Sequence, residues 1–126
     1  MSKEFIDEIH PKGAELQAAI HEAKYQILMR LWQTKERKFE NETGFKDFQT
    51  SLHLYEVEVD EDLPTVLLSR RAFERALNRA RREGWIYMNR IPIQEGLIPI
   101  KLYQIGLTKK GEKVAEREQI IIWEKD

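Results

Sequence analysis

SRRAFERALNRARREGWIYMNR, residues 69–90, reads as a capped helix, a glycine stop and the start of a strand. A serine hydroxyl can accept a hydrogen bond from an orphan N–H of the first helical turn, and glycine suits the left-handed residue that closes a helix. Ser69 and Gly84 therefore bound the element. Between them Phe73, Ala76, Leu77 and Ala80 recur at helical spacing and mark the buried face. The rest of the surface carries Arg70, Arg71, Arg75, Asn78, Arg79, Arg81 and Arg82, opposed only by Glu74 and Glu83. A solvated face whose arginine stems cover apolar neighbours is the plainer reading of such a surface. However, Arg71, Arg75, Arg79 and Arg82 repel one another along one stripe. A polyanion would relieve that repulsion, each neutralised phosphate releasing counterions as well.

On the C-terminal side the period changes from helix to strand. Trp85, Ile86, Tyr87 and Met88, then Ile91 and Ile93, predict one strand, Gln94-Glu95-Gly96 a reversal, and about 98–105 a second, antiparallel strand. In LTKKGEKVAE, from Leu107, Thr108 is the natural N-cap of a last helix, with Val114, Ala115, Ile121 and Ile122 facing inward. The closing apolar run, 120–123, is expected to be covered as well.

On the N-terminal side, residues 1–13 read as an arm broken by Pro11 and Gly13. Leu16, Ala19, Ile20, Ala23, Ile27, Leu28, Leu31 and Trp32 then predict a long first helix over about 14–38, fraying towards residue 42. Phe45, Phe48 and Leu52 predict a helix over about 45–53, followed by an extended segment through Val57 and Val59 and an acidic loop ending at Asp62. Residues 63–68, with Pro64 in the first turn, predict a short helix that with a tight turn at Ser69 and the arginine helix forms a helix-turn-helix. The expected organisation is an N-terminal arm, 1–13, and one domain, 14–126, with its core at about 63–116.

Composition limits the functions available. The 126 residues hold 21 basic and 22 acidic side chains, so local distribution, not net charge, carries any electrostatic signal. Six arginines lie between Arg70 and Arg82, just after the acids Glu56, Glu58, Asp60, Glu61 and Asp62. The absence of cysteine excludes disulfides and thiolate metal sites and fits a cytoplasmic protein. The N-terminus lacks the apolar run of a signal peptide, and no run approaches the roughly 20 residues of a membrane span. His10, His21 and His53 show no metal-ligand spacing, and no nucleophile, phosphate loop or metalloprotease pattern is present. No enzyme activity, metal or cofactor is expected. Trp32, Trp85 and Trp123 suit core packing better than base stacking.

Two stretches in this order carry a resemblance. Residues 69–90 resemble the recognition helix and first wing strand of winged-helix regulators, and LTKKGEKVAE resembles the Leu-Thr-x-x-Gly start of the final helix in MarR-like and PadR-like transcription factors. The implied fold is α+β, a mostly helical winged helix-turn-helix with a β-hairpin wing and a final helix. The resemblance implies sequence-specific binding of double-stranded DNA by a transcriptional regulator, usually a two-fold dimer. Arg70, Arg71, Glu74, Arg75 and Asn78 would face the groove, Ser69 would join them among the DNA-binding residues, Arg79 and Arg82 would meet phosphates, and the wing would offer only Arg90 and Lys101. Ile91, Ile93, Leu97, Ile98 and Ile100 instead make the wing apolar, which points to a protein partner. The alternative is thus a winged-helix protein–protein interaction module in a transcription or replication assembly. Apolar surface on the first and last helices predicts a homodimer through them. DNA and RNA are not separated at this level.

Overall fold

The first apolar repeat forms α1, Ala14–Trp32, in a computed structural model that describes residues 13–125. Apart from Gly13, the expected N-terminal arm lies outside the described residues. Ala19, Ile20, Ala23, Ile27, Leu28 and Leu31 are all buried, as their spacing requires. The helix stops at Trp32, before the expected region near residue 38. The Thr34 hydroxyl donates to the Leu31 carbonyl at 2.8 Å. Arg37 takes a left-handed φ of 59°, and its guanidinium folds back onto the carbonyls of Trp32 and Thr34, 4.0 Å from the Trp32 ring centroid. These contacts close the helix as a C-cap does. Residues Lys38–Asn41 then emerge as β1.

A 3-10 turn, Phe45–Asp47, runs into α2, Phe48–Ser51, close to the helix expected over 45–53. His53, at φ 52°, ends it. Arg30 of α1 donates to the carbonyls of Leu52 and His53 at 2.8 and 3.2 Å. The next element corrects the sequence reading: 63–68 is not a helix. Instead Glu56–Val57, β2, pairs antiparallel with Val66–Leu67, β3. Pro64 pushes Leu63 out of helical geometry, and Thr65 and Val66 are β-branched, so local preference already opposed a helix. The arginine helix therefore does not follow α2 through a tight turn; a small hairpin carrying the acidic segment is inserted between them. Gln49 spans the insertion. Only 3% exposed, its Nε2 donates to the carbonyls of Leu54 and Leu68 at 2.9 and 2.8 Å.

Ser69 caps α3, Arg70–Arg82, by accepting from the Ala72 N–H at 3.1 Å. Ala72, Phe73, Ala76, Leu77 and Ala80 are buried, packed chiefly on α1. Gly84, at φ 82°, ends the helix. Strands β4, Ile86–Glu95, and β5, Ile98–Leu107, pair in register from Ile86↔Leu107 to Glu95↔Ile98. The reversal is the two-residue turn Gly96-Leu97, one step beyond the centre of the expected Gln94-Glu95-Gly96. Gly96 supplies the positive φ, 60°, at its first central position. The sheet order is β1-β5-β4.

Thr108 caps α4, Lys109–Lys125, accepting from the Gly111 N–H at 2.9 Å. Gly111 has a steric reason: a Cβ there would lie 2.0 Å from the Trp85 carbonyl oxygen. The Gly111→Ala variant is expected to lose about 1–3 kcal/mol of stability through this overpacking, read as a lower urea midpoint at unchanged slope. Ala115 is buried and Val114 partly so; side chains from 120 onward, including the expected apolar cover, lie outside the described residues. Among the described residues the fold is α+β, with four α-helices, a three-stranded antiparallel sheet and a two-stranded one.

Candidate nucleic-acid interface

Helical geometry sorts the α3 side chains into three strips. Opposite the buried face stand Arg71, Arg75, Asn78 and Arg82, with Arg71, Arg75 and Arg82 exposed. Arg75, Asn78, Arg79 and Arg82 line a shallow depression of about 240 Å³. Among the described residues no ion pair neutralises Arg71, Arg75 or Arg82. Two arginines flanking this strip are engaged within the chain. Arg79 donates to Gln17 of α1, and Arg70 lies 3.3 Å from Asp47 in the 3-10 turn. The Ser69 oxygen serves as cap.

The C-terminal end of α3 is positioned by Lys24 of α1. This lysine is 6% exposed, lies 3.2 Å from Glu83, and sits 4.9 and 5.3 Å from the ring centroids of Trp85 and Tyr25. Ion pair and cation–π contacts together offset its burial. Burial, then Glu118, Glu83 and Glu22, push the Tyr25 phenol above its ordinary 10.0, so it is a neutral partner for this cluster at physiological pH. Trp85 is buried here as packing.

A second depression, about 320 Å³, separates the start of α3 from the root of the hairpin. Lys46, Asp47, Arg70, Glu74, Arg90 and Tyr103 contribute to it. Arg90 sits 5.5 Å from the Tyr103 ring centroid, and Tyr103 packs edge-on against Phe45 at 5.1 Å. Lys46 was not singled out in the sequence, where a lone lysine between Phe45 and Asp47 gives no signal. The structure thus brings Arg70, Glu74 and Arg90 together, places Arg71, Arg75, Asn78 and Arg82 on the outer strip, and leaves Lys101 further along the hairpin. None of residues 56–62 lines either depression.

Register divides the hairpin into two unlike faces. Because paired residues share a face and successive ones alternate, one face carries Ile86, Leu107, Met88 and Ile105 at its base, which join the core. Further out it carries Arg90, Tyr103, Pro92 and Lys101. The other face begins polar: Asn89 donates to Gln104, which donates to Glu40 of β1, which pairs with Lys38. Beyond that ladder it holds Ile91 with Leu102 and Ile93 with Ile100, and at the turn the register pairs Ile98 with Glu95. The wing is therefore cationic on the side continuous with the core and aliphatic on the other, not apolar on both.

The apolar stripe of α1 is covered by α3 and α4. Its exposed residues are Ala14, Glu15, Gln17 and His21. Leu16, Tyr25, Met29 and Trp32 at the margins of that stripe are partly buried. Comparison with protein-family models, curated proteins and solved structures gave no match.

Proposed function

We propose that this chain is a winged-helix transcriptional regulator of the cytoplasm that binds double-stranded DNA sequence-specifically, with α3 as its reading helix and no catalytic step. The observation that carries the reading is the outer strip of α3. Arg71, Arg75 and Arg82 stand unneutralised beside Asn78 on a helix whose opposite side is buried and whose ends are pinned by Ser69, Gln49 and Lys24. In the major groove Arg matches guanine and Asn matches adenine, so such a strip can both read bases and meet phosphates. With the β2–β3 hairpin inserted between α2 and α3 set aside, the order α1, β1, α2, α3, β4, β5, with β1 paired to β5, is the order a winged helix uses, and supports the same reading. Arg90, Lys101 and Lys46 would follow the backbone beside α3. Its partner in this reading is duplex DNA, held by a homodimer.

Fluorescence anisotropy with labelled duplexes tests the proposal. The Arg90→Glu, Lys101→Glu pair is expected to weaken binding about tenfold across all sequences, as loss of phosphate contacts does, without changing site preference. A change in preference would move sequence reading from α3 to the wing. The aliphatic wing face favours one other reading, an interaction module that binds protein in a transcription or replication assembly. It predicts no duplex binding by the wild type.

A further inference from the structure

We propose that Tyr103 is a positioning residue whose ring holds the Arg90 guanidinium at the root of the wing, ready to meet a phosphate of the duplex backbone. The inference rests on the DNA-binding reading of α3 and adds to it a residue that brings no charge and no base contact of its own.

Arg90 and Tyr103 are direct cross-strand partners on β4 and β5. The guanidinium carbon lies 5.5 Å from the ring centroid, inside the roughly 6 Å over which a ring face attracts a cation. On its other side Tyr103 pairs with Asn41, the last residue of β1. The ring therefore stands where the three-stranded sheet gives way to the two-stranded wing. Packing fixes its setting. Phe45 meets it edge-on at 5.1 Å, and Phe45 lies 6.3 Å from Phe48, which is fully buried. A row of three rings thus runs from the core out to Arg90.

The groups around the depression show what the ring does for Arg90. Glu74 lines the same depression, and a long arginine side chain left to itself can swing onto such a carboxylate. Yet among the described residues no ion pair engages Arg90. A cation–π contact uses the charge and not the N–H donors, so those donors stay available for phosphate oxygens. An arginine ordered in advance also loses less rotamer freedom on binding. Arg70, the other arginine of this depression, is already held by Asp47. Lys101, two residues from Tyr103 on the same face, lies opposite Pro92, and among the described residues it has no ring beside it. It is the internal control.

A double-mutant cycle tests this, read by anisotropy of a labelled duplex at about 50 mM salt. Tyr103→Leu is expected to weaken binding about threefold and Arg90→Gln about fivefold, and the two together no more than Arg90→Gln alone. Tyr103→Phe, which keeps the ring, is expected to recover the threefold loss. On a Lys101→Gln background Tyr103→Leu should still cost its full threefold, because a general distortion of the wing couples to both cations and positioning couples to Arg90 only. Wild-type affinity in folded Tyr103→Leu overturns the proposal. So does a threefold loss that persists beside Arg90→Gln, or coupling to Lys101 as strong as to Arg90. Should Tyr103→Leu fail to fold, NMR of the wild type gives a second measurement: the ring current of Tyr103 is expected to move the Arg90 side-chain protons upfield, and ordinary arginine positions overturn the proposal. A wild type that binds no duplex removes the α3 reading and this inference with it; a wild type that binds while the cycle is additive removes this inference alone.

Discussion

Replacing Arg71 and Arg75 together by glutamate is expected to lower affinity for duplex DNA by about 100-fold or more. Each bidentate arginine contact contributes roughly 1–3 kcal/mol of discrimination, and each reversal also places a negative charge against the phosphates. Both side chains are exposed and unpaired among the described residues, so the fold has no reason to suffer. Relief of mutual arginine repulsion should leave the melting temperature equal or slightly raised. Unchanged affinity in a folded variant would remove α3 as the reading helix and favour the protein-interaction module.

The Gln49→Leu variant is expected to have the largest effect on stability. Leucine keeps the side chain near the original size and apolar, but it withdraws the donor that serves both the Leu54 and Leu68 carbonyls. A buried unsatisfied group costs about 1–3 kcal/mol, so two together should cost about 3–4 kcal/mol and lower the melting temperature by roughly 10 °C. A loss below about 1 kcal/mol would show that water or a local shift serves these carbonyls, and that Gln49 is not what ties α2 to the start of α3.

The arginine helix was legible because several local signals agreed: a serine cap, a helical apolar period and a glycine stop. The last helix was legible for the same reason, with Thr108 as cap. Elsewhere local signals were absent or divided. Strand β1 turns one large apolar residue, Phe39, towards the core and is otherwise polar, so it has no readable alternation; its partner Ile105 lies far along the chain. The segment 63–68 carried a helix-compatible proline beside β-branched residues, and pairing with Glu56–Val57 decided for the strand. The two faces of the wing depended on register. A one-residue slip in pairing would put Arg90 on the face of Ile98, Ile100 and Leu102, and the observed register instead keeps Arg90 and Lys101 together, away from the isoleucines. Within the candidate site, the outer strip followed from periodicity alone. The engagement of Arg70 by Asp47 and of Arg79 by Gln17 did not, because those contacts are tertiary.

The central proposal, that the α3 strip and the cationic wing face meet the DNA backbone and bases, is tested most directly by titrating duplex affinity against salt. If Arg82, Arg90, Lys101 and Lys46 each neutralise one phosphate, the logarithm of affinity should fall with the logarithm of salt concentration at a slope of about −3.6 for each protomer bound. That is roughly a fiftyfold loss per protomer between about 50 and 150 mM. A specific duplex should retain an advantage over random sequence throughout. A slope near zero, or no binding to any duplex at the lowest salt, would contradict it.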